Sequence, residues 1–204
     1  MRLTFIRHAQ SVSNAGGITM PHRDIPLTER SWTQARELAE EWTGSSAMVW
    51  ASKFLRTQQT AEPFCQRFER TARIHPALHE FSMIDEALIA GLDGPRRKPF
   101  VKAYWNDPDP QRRLGSGAET FAEFDARVRW FRESMHQLPD ESVLFGHGIW
   151  IALLFWQLQG HRVQDRAGMS AFRDYQLALP MLNCAVFNVR SVGEDRWRAE
   201  LGHG

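Results

Sequence analysis

The sequence has few cysteines, almost no net charge and no long apolar run. Its two cysteines, Cys65 and Cys184, form neither a disulfide framework nor a metal-binding spacing, which favours a reducing compartment. A formal net charge of +1 provides no overall field to attract nucleic acid or a membrane surface. The apolar residues 3–6 are too few for a signal peptide or a membrane-spanning helix. We therefore expect a cytoplasmic protein with no nucleic-acid or membrane partner.

The length and composition are those of one globular domain. A chain of 204 residues with 43% hydrophobic residues can bury a substantial core, and no repeat or linker-like run divides it. We therefore expect a single domain over residues 1–204. Residues 82–115 are rich in Pro, Gly and Arg, which predicts short helices and loops there. The sequence leaves a monomer and a homodimer open.

Apolar runs and helical spacing alternate along the chain. Strands are predicted at residues 3–6, 47–51, 73–75, 142–145, 184–189 and 197–201, the last two as a hairpin around Gly193. Helices are predicted at about 28–43, 55–68, 118–138 and 149–158, with Thr28 as the N-cap of the first. This alternation predicts a three-layer α/β/α fold with a mostly parallel central sheet.

Three side chains that can carry positive charge follow predicted strands. His8 comes directly after the first strand, Arg56 soon after the second, and His147 just after the strand at 142–145. Because ligands of such sheets bind beyond the carboxyl ends of the strands, we expect these side chains to converge. An imidazole nucleophile beside guanidinium groups suits phosphoryl transfer, although an Arg-His dipeptide alone is weak evidence.

Six segments, in order over about residues 3–150, resemble motifs of the histidine phosphatase (phosphoglycerate mutase-like) superfamily, branch 1. They are R-H-A-Q-S-V-S-N at 7–14, D-I-P-L-T at 24–28, S-K-F-L-R-T-Q-Q-T-A at 52–61, L-H-E at 78–80, G-A-E-T-F at 117–121 and G-H-G at 146–148. The chain departs from the family pattern at Ala9, Gln10, Gly146 and Ile149, where Gly, Glu, Ser and Gly are frequent. None of these changes removes a reacting group, but Ala9 requires an ordinary φ.

The resemblance implies a phosphoglycerate mutase-like fold and a phosphatase that hydrolyses a phosphomonoester through a phosphohistidine on His8. The residues that it places around the phosphoryl group are Arg7, Asn14, Arg56, His147 and Gly148. Two guanidinium groups and a protonated second histidine would neutralise a phosphoryl dianion. The helix that begins at Gly148 would add backbone N–H groups. The expected partner is a phosphorylated small-molecule substrate.

The resemblance also implies a proton donor, and Glu80 is the candidate. A carboxyl group must protonate the leaving oxygen and later deprotonate the attacking water. Asp85 and Glu86 lie close by in the sequence, so either could take this role if the loop is placed differently.

Neither a metal nor an organic cofactor is expected. His75 and His79 have the H-x-x-x-H spacing, which places two ligands together only on a helix. Pro76 and the strand predicted at 73–75 argue against a helix there, and no Cys/His cluster supplies further ligands.

The sequence leaves the natural substrate and the phosphoryl acceptor open. Basic side chains that could bind a second anionic group of the substrate are His22, Arg23, Arg96 and Arg97, although such residues more often form a solvated surface. In the family, residues 82–115 correspond to a variable substrate cover, and mutases carry a longer insertion there. This segment therefore favours a hydrolase. The alternatives are phosphoglycerate mutase-type transfer and a weakly catalytic protein that binds a phosphorylated ligand.

Overall fold

The computed structural model describes residues 1–193 and 196–201. Its strands are β1 (Arg2–Arg7), β2 (Met48–Ala51), β3 (Arg73–Ile74), β4 (Ser142–Gly146), β5 (Val186–Gly193) and β6 (Arg196–Leu201). Its α-helices are α1 (Ser31–Glu41), α2 (Leu55–Arg67), α3 (Glu86–Ile89), α4 (Gly94–Asn106), α5 (Phe121–Ser134), α6 (Gly148–Leu158) and α7 (Arg166–Ala178).

The strands form one mixed sheet in the order β3-β2-β4-β1-β5-β6. The first four strands in this order are parallel, whereas β5 runs antiparallel to β1 and β6 antiparallel to β5. The predicted hairpin is present, with a register shift between Ser191 and Gly193, but its turn at residues 194–195 lies outside the described residues. The predicted mostly parallel α/β sheet is confirmed.

Helices cover both faces of the sheet because alternate strand residues point to opposite sides. Leu3 and Phe5 of β1 pack into a large core with aromatic residues of α5 and α6, including Phe131 and Trp150. Ile6, the next residue of β1, belongs to a second core with apolar residues of α1 and α2. The central strands are buried along most of their length. The three-layer prediction is therefore confirmed.

Two predicted helix starts are wrong by three residues. The first helix begins at Ser31, and Thr28 instead accepts the Ser31 N–H through its carbonyl oxygen (3.1 Å), in a turn that precedes the helix. Helix α5 begins after Thr120 rather than at residue 118. Its start is fixed by a capping box, in which Thr120 Oγ1 accepts from Glu123 N and the Glu123 carboxylate accepts from Thr120 N.

The segment 82–115 contains more regular structure than expected. Short loops and turns are present, but α4 is a 13-residue helix whose N-terminus is capped by the Asp93 side chain, which accepts from Arg96 N at 3.0 Å. A further helix, α7, was not predicted at all. Asp165 caps it, and its buried residues are Met169 and Phe172. Among the described residues, no helix is long and apolar enough to cross a membrane.

Candidate active site

A cavity of about 510 Å³ lies beyond the carboxyl ends of β1 and β4. His8 follows β1 directly, Arg56 is the second residue of α2, and α6 begins at Gly148 after β4. The predicted catalytic and phosphate-binding residues that line the cavity are Arg7, His8, Asn14, Arg56, Glu80 and Gly148. The parallel sheet thus brings together residues that lie up to 141 positions apart in the sequence.

His8 is buried and held in one tautomer. Its Nδ1 lies 2.6 Å from the Ala9 carbonyl oxygen, and because a carbonyl only accepts, Nδ1 carries the proton. The lone pair is therefore on Nε2, which accepts a hydrogen bond from Arg56 Nε at 3.3 Å. Burial, and next the positive charge of Arg56, holds the His8 pKa well below its ordinary value. The result is a neutral imidazole with its nucleophilic nitrogen beside a guanidinium group.

Ala9 fits its position next to the nucleophile. Its N–H donates to Thr60 Oγ1 at 3.0 Å, and it is fully buried. Its φ is not positive, so a Cβ causes no backbone strain there. The requirement for an ordinary φ at this departure from the family pattern is met.

Two arginines supply the positive charge of the cavity. Arg56 is 7% exposed, donates from Nη1 to the His22 carbonyl (2.9 Å), and stacks 4.7 Å from the Phe54 ring centroid. Burial lowers the Arg56 pKa to about 10, so this group stays charged at neutral pH. Arg7 donates from Nη1 to the Met181 carbonyl, and burial also lowers its pKa. Both guanidinium groups are thus held by backbone carbonyls.

His147 lies against His8 but does not line the cavity. The two ring centroids are 5.2 Å apart with the rings edge to face, and His147 Nε2 lies 2.7 Å from Ser52 Oγ. Its Nδ1 is buried without a hydrogen-bond partner within the described part of the chain. Burial, and next Arg56, holds the His147 pKa well below its ordinary value. The protonated form of His147 that the resemblance implies is therefore disfavoured in this buried environment.

The Glu80 carboxylate occupies the N-terminus of α6. Its Oε2 accepts from Ile149 N (3.0 Å), and its Oε1 accepts from Trp150 N (3.0 Å) and Phe81 N (2.9 Å). Burial raises the Glu80 pKa above its ordinary value, although these N–H groups and Arg56 oppose the change. Two of the N–H groups expected to be free for a phosphate are thus already used by Glu80.

The alternative acids lie elsewhere. Asp85 caps α3 by accepting from Ala87 N (3.0 Å) and also accepts from Gly117 N (2.8 Å), which lowers its pKa. Glu86 accepts from His22 N at 2.7 Å. Neither is among the described residues that line the cavity. The geometry therefore favours Glu80 over both.

Gly148 is closely surrounded by the side chains of Met181 and Arg7. A Cβ at this position would lie 3.1 Å from Met181 Cγ and 3.4 Å from Arg7 Nε. A Cβ at this position would therefore require the Met181 side chain to shift by a few tenths of an ångström, and it would contact Arg7.

Asn183 is a site residue that the sequence did not reveal. Its Nδ2 donates to the His8 carbonyl at 3.0 Å and lies 3.5 Å from Asn14 Oδ1. Asn14 Oδ1 also accepts from Ser11 N at 3.3 Å. A side chain that supports a backbone carbonyl 175 positions away leaves no pattern in a single sequence. Backbone hydrogen bonds between Arg7 and the segment before β5, from Cys184 N to Arg7 O (3.1 Å) and from Arg7 N to Ala185 O (3.0 Å), place it there.

We expect Asn183→Ala to lower kcat/KM by about tenfold, the effect of losing one positioning hydrogen bond beside the reacting group. Steady-state kinetics with an aryl phosphate measures the loss, and a thermal unfolding scan separates it from destabilisation. The control is Asn106→Ala, because Asn106 is exposed at the end of α4. Unchanged kinetics in Asn183→Ala would show that this contact does not position His8.

The four predicted specificity residues separate into two pairs. His22 and Arg97 line the cavity, and burial lowers the His22 pKa. Arg23 is exposed and lies in a neighbouring cleft, and Arg96 is paired with Asp93 (3.3 Å). Among the described residues, neither Arg23 nor Arg96 lines the cavity.

Much of the remaining wall comes from two segments, the cover and the end of α7. Apolar cavity residues from the cover include Met83, Ile84, Ile89 and Val101. The α7 segment contributes Gln176, Leu177, Leu179 and Met181. Because α7 was not predicted, this wall was missed. The available signals were Asp165 as N-cap and the spacing of Met169 and Phe172.

The H-x-x-x-H pair serves local structure. His75 Nδ1 accepts from Ala77 N at 3.2 Å, and His79 Nδ1 lies 2.9 Å from the Pro76 carbonyl, at the ends of a 3₁₀ turn over Pro76–Leu78. Within residues 1–193 and 196–201, no group of three or more His, Cys, Asp or Glu side chains is arranged to hold a metal ion.

Comparisons with known proteins agree with this geometry. The sequence profile of the histidine phosphatase superfamily (branch 1) matches residues 3–187. The chain is 29% identical over 202 residues to adenosylcobalamin/alpha-ribazole phosphatase of Escherichia coli, covering 96% of this chain and 99% of that protein. It is 28% identical over 165 residues to the probable phosphoglycerate mutase GpmB of Photorhabdus laumondii, covering 78% of this chain and 75% of that protein.

The fold also matches that of a phosphatase whose structure has been solved. A mycobacterial glucosyl-3-phosphoglycerate phosphatase, in complex with VO3, superposes with a TM-score of 0.74 at 22% identity and covers 98% of both chains. At this identity the superposition shows the shared fold, whereas the profile match spans nearly the whole sequence. The chain therefore belongs to the histidine phosphatase superfamily, branch 1, and it is a phosphatase.

Proposed function

We propose that this phosphatase hydrolyses the phosphomonoester of a small molecule, with His8 as the nucleophile. The observation that carries the proposal is the state of His8. Its Nδ1–H is fixed on the Ala9 carbonyl, its unprotonated Nε2 accepts from Arg56 Nε (3.3 Å), and His8 lines the cavity together with Arg7 and Arg56. A neutral, desolvated imidazole can attack phosphorus while the two guanidinium groups hold the equatorial oxygens.

In the first step, His8 Nε2 forms a bond to phosphorus as the bond from phosphorus to the ester oxygen breaks. The electron pair of that bond goes to the leaving oxygen, which takes a proton from the Glu80 carboxyl group. Its raised pKa increases the fraction of Glu80 that is protonated and able to donate. The products are the free alcohol and phosphohistidine.

In the second step, the Glu80 carboxylate takes a proton from water as the water oxygen attacks phosphorus. The N–P bond breaks, its electron pair returns to His8 Nε2, and inorganic phosphate leaves with Glu80 protonated again. Asn14 and the N–H of Gly148 line the cavity and add neutral contacts to the phosphoryl oxygens. His147 does not line the cavity, and its part in this proposal is to pack edge to face against His8 and orient the nucleophilic ring.

We expect activity to survive thorough EDTA treatment, because the positive charge at the phosphoryl position comes from Arg7 and Arg56. Vanadate, which adopts five-coordinate geometry, should inhibit competitively. Hydrolysis of p-nitrophenyl phosphate before and after chelation measures the first expectation. Rates at varied p-nitrophenyl phosphate and vanadate concentrations measure the second. A strict requirement for an added divalent metal would contradict the proposed mechanism, and no turnover of any phosphate ester would favour a ligand-binding role.

The phosphoryl acceptor is water in this proposal rather than a second hydroxyl of the substrate. The probable mutase among the relatives keeps the alternative open. The test supplies 3-phosphoglycerate with a trace of 2,3-bisphosphoglycerate and follows isomerisation and phosphate release together. Isomerisation running far ahead of release would identify a mutase, with His8 as nucleophile in either case. The first substrates to assay are α-ribazole phosphate and glucosyl-3-phosphoglycerate, for which related proteins are named.

A cytoplasmic location is part of the proposal and rests on the two free cysteines, Cys65 and Cys184. A homodimer stays an alternative to a monomer, and light scattering after size exclusion distinguishes them.

A further inference from the structure

We infer that the natural substrate is the phosphate ester of an uncharged, largely apolar alcohol. This inference rests on the proposed function and adds the chemical class of the leaving group. Beyond Arg7 and Arg56, the cavity lining combines many hydrocarbon side chains with neutral polar ones such as Gln176, and its remaining arginine, Arg97, is already bonded within the protein.

The apolar wall is built from several segments. Six of its side chains are Ile84, Ile89, Val101, Ile149, Leu177 and Leu179. They belong to the cover, to the start of α6 and to the end of α7. A wall assembled from separate elements favours an apolar ligand group, because contact with it removes hydrocarbon surface from water.

Leu177 extends this apolar surface to the mouth of the cavity. It lines the cavity and is 64% exposed. A ligand whose apolar part reaches the mouth would cover it.

The positive charges of the cavity also favour an uncharged leaving group. Among the described residues, the arginines lining it are Arg7, Arg56 and Arg97. The first two lie beside His8, where the phosphoryl group binds in the proposed mechanism. Arg97 Nη1 donates to the carbonyls of Gly17 (2.7 Å) and Leu92 (3.0 Å) and to Thr19 Oγ1 (2.8 Å).

Arg97 Nη2 is engaged as well, by Ser13 O and Oγ, both at 3.2 Å. This guanidinium group therefore ties α4 to residues 13–19 and has no terminal nitrogen left for a ligand. A carboxylate on the leaving group would lose water of hydration without gaining a charged partner, which is costly. An uncharged leaving group avoids that penalty.

Three esters of primary alcohols test the inference: 3-phenylpropyl phosphate, n-propyl phosphate and the phosphate ester of 3-hydroxypropanoate. They share the same carbon chain and differ in apolar area and charge. We expect kcat/KM to be at least about tenfold higher for the phenylpropyl ester than for the propyl ester, because the ring buries additional apolar area. The carboxylated ester should be at least about tenfold poorer than the propyl ester.

A charge placed at the mouth should shift this preference. Leu177→Arg substitutes an exposed residue, so the fold should be unaffected. We expect it to lower kcat/KM for the phenylpropyl ester by about fivefold and to raise it for the carboxylated ester by a similar factor. The control is Leu88→Arg, the same substitution at a residue that is 54% exposed on α3 and outside the cavity lining.

The outcomes separate the two proposals. Equal kcat/KM values for the three esters, or a preference for the carboxylated one, would overturn the inference about the leaving group and leave the phosphatase mechanism standing. Equal effects of Leu177→Arg and Leu88→Arg on kcat/KM for these esters would also overturn the inference about the leaving group and leave the phosphatase mechanism standing. If the enzyme turns over neither these esters nor p-nitrophenyl phosphate, the proposed function fails first.

Discussion

The His8→Ala variant is expected to lose turnover by several powers of ten while keeping its fold, the usual result of removing a covalent nucleophile. No neighbour can replace the imidazole. The other histidine nearby, His147, is fully buried, bonds to Ser52 through Nε2 and does not line the cavity. Its ring therefore cannot present a free nitrogen to the same phosphorus.

The measurement is a rapid quench with ³²P-labelled substrate followed by acid and base treatment of the protein. The wild type should yield a phosphoprotein that is labile to acid and stable to base, and His8→Ala should yield none. The matched control is His136→Ala, because His136 is exposed at the end of α5 and lies outside the cavity. Near-normal activity in His8→Ala would contradict the mechanism outright.

The sequence predicts those site residues that lie directly or shortly after the end of a strand. His8 and His147 directly follow buried strands, and Arg56 stands one residue into the helix after β2. Their convergence follows from parallel pairing alone, since β2, β4 and β1 are neighbours in the sheet. The family motifs add the identity of the chemistry, and both sources of prediction agree on these positions.

The part that the sequence does not predict depends on contacts between distant segments. Glu80 binds the N-terminus of α6, 69 and 70 positions away, so the site expected to receive phosphate holds a carboxylate instead. The sequence suggests that Arg97 is a free surface cation, yet five acceptors hold it, four of them 78 to 84 positions away. Composition and periodicity indicate which residues are neighbours within one helix or strand, whereas most hydrogen-bond partners of Glu80 and Arg97 lie in other segments.

The Glu80→Gln variant is expected to lower kcat/KM for alkyl phosphates by about 10²–10⁴-fold, the usual contribution of a general acid. The effect on p-nitrophenyl phosphate should be much smaller, because nitrophenolate leaves without protonation. The amide keeps one acceptor oxygen but turns the other position into a donor facing an N–H group of Phe81, Ile149 or Trp150. Thermal unfolding should therefore be measured alongside the kinetics.

The pH dependence gives the sharper test of Glu80 as the acid. A proton donor acts in its protonated form, so kcat/KM for an alkyl phosphate should fall as pH rises through the Glu80 pKa, which burial raises above its ordinary value. On the acidic side, His8 must be neutral, and its lowered pKa keeps it neutral below its ordinary value of 6.5. Glu80→Gln should lose the basic limb and keep the acidic one.

The control is Glu86→Gln, because Glu86 does not line the cavity and accepts a hydrogen bond from His22 N, so this variant should retain both limbs of the pH profile. If alkyl and nitrophenyl phosphates are affected equally in Glu80→Gln, or if Glu86→Gln is the variant that loses the basic limb, Glu80 serves structure at the start of α6 and the proton comes from elsewhere.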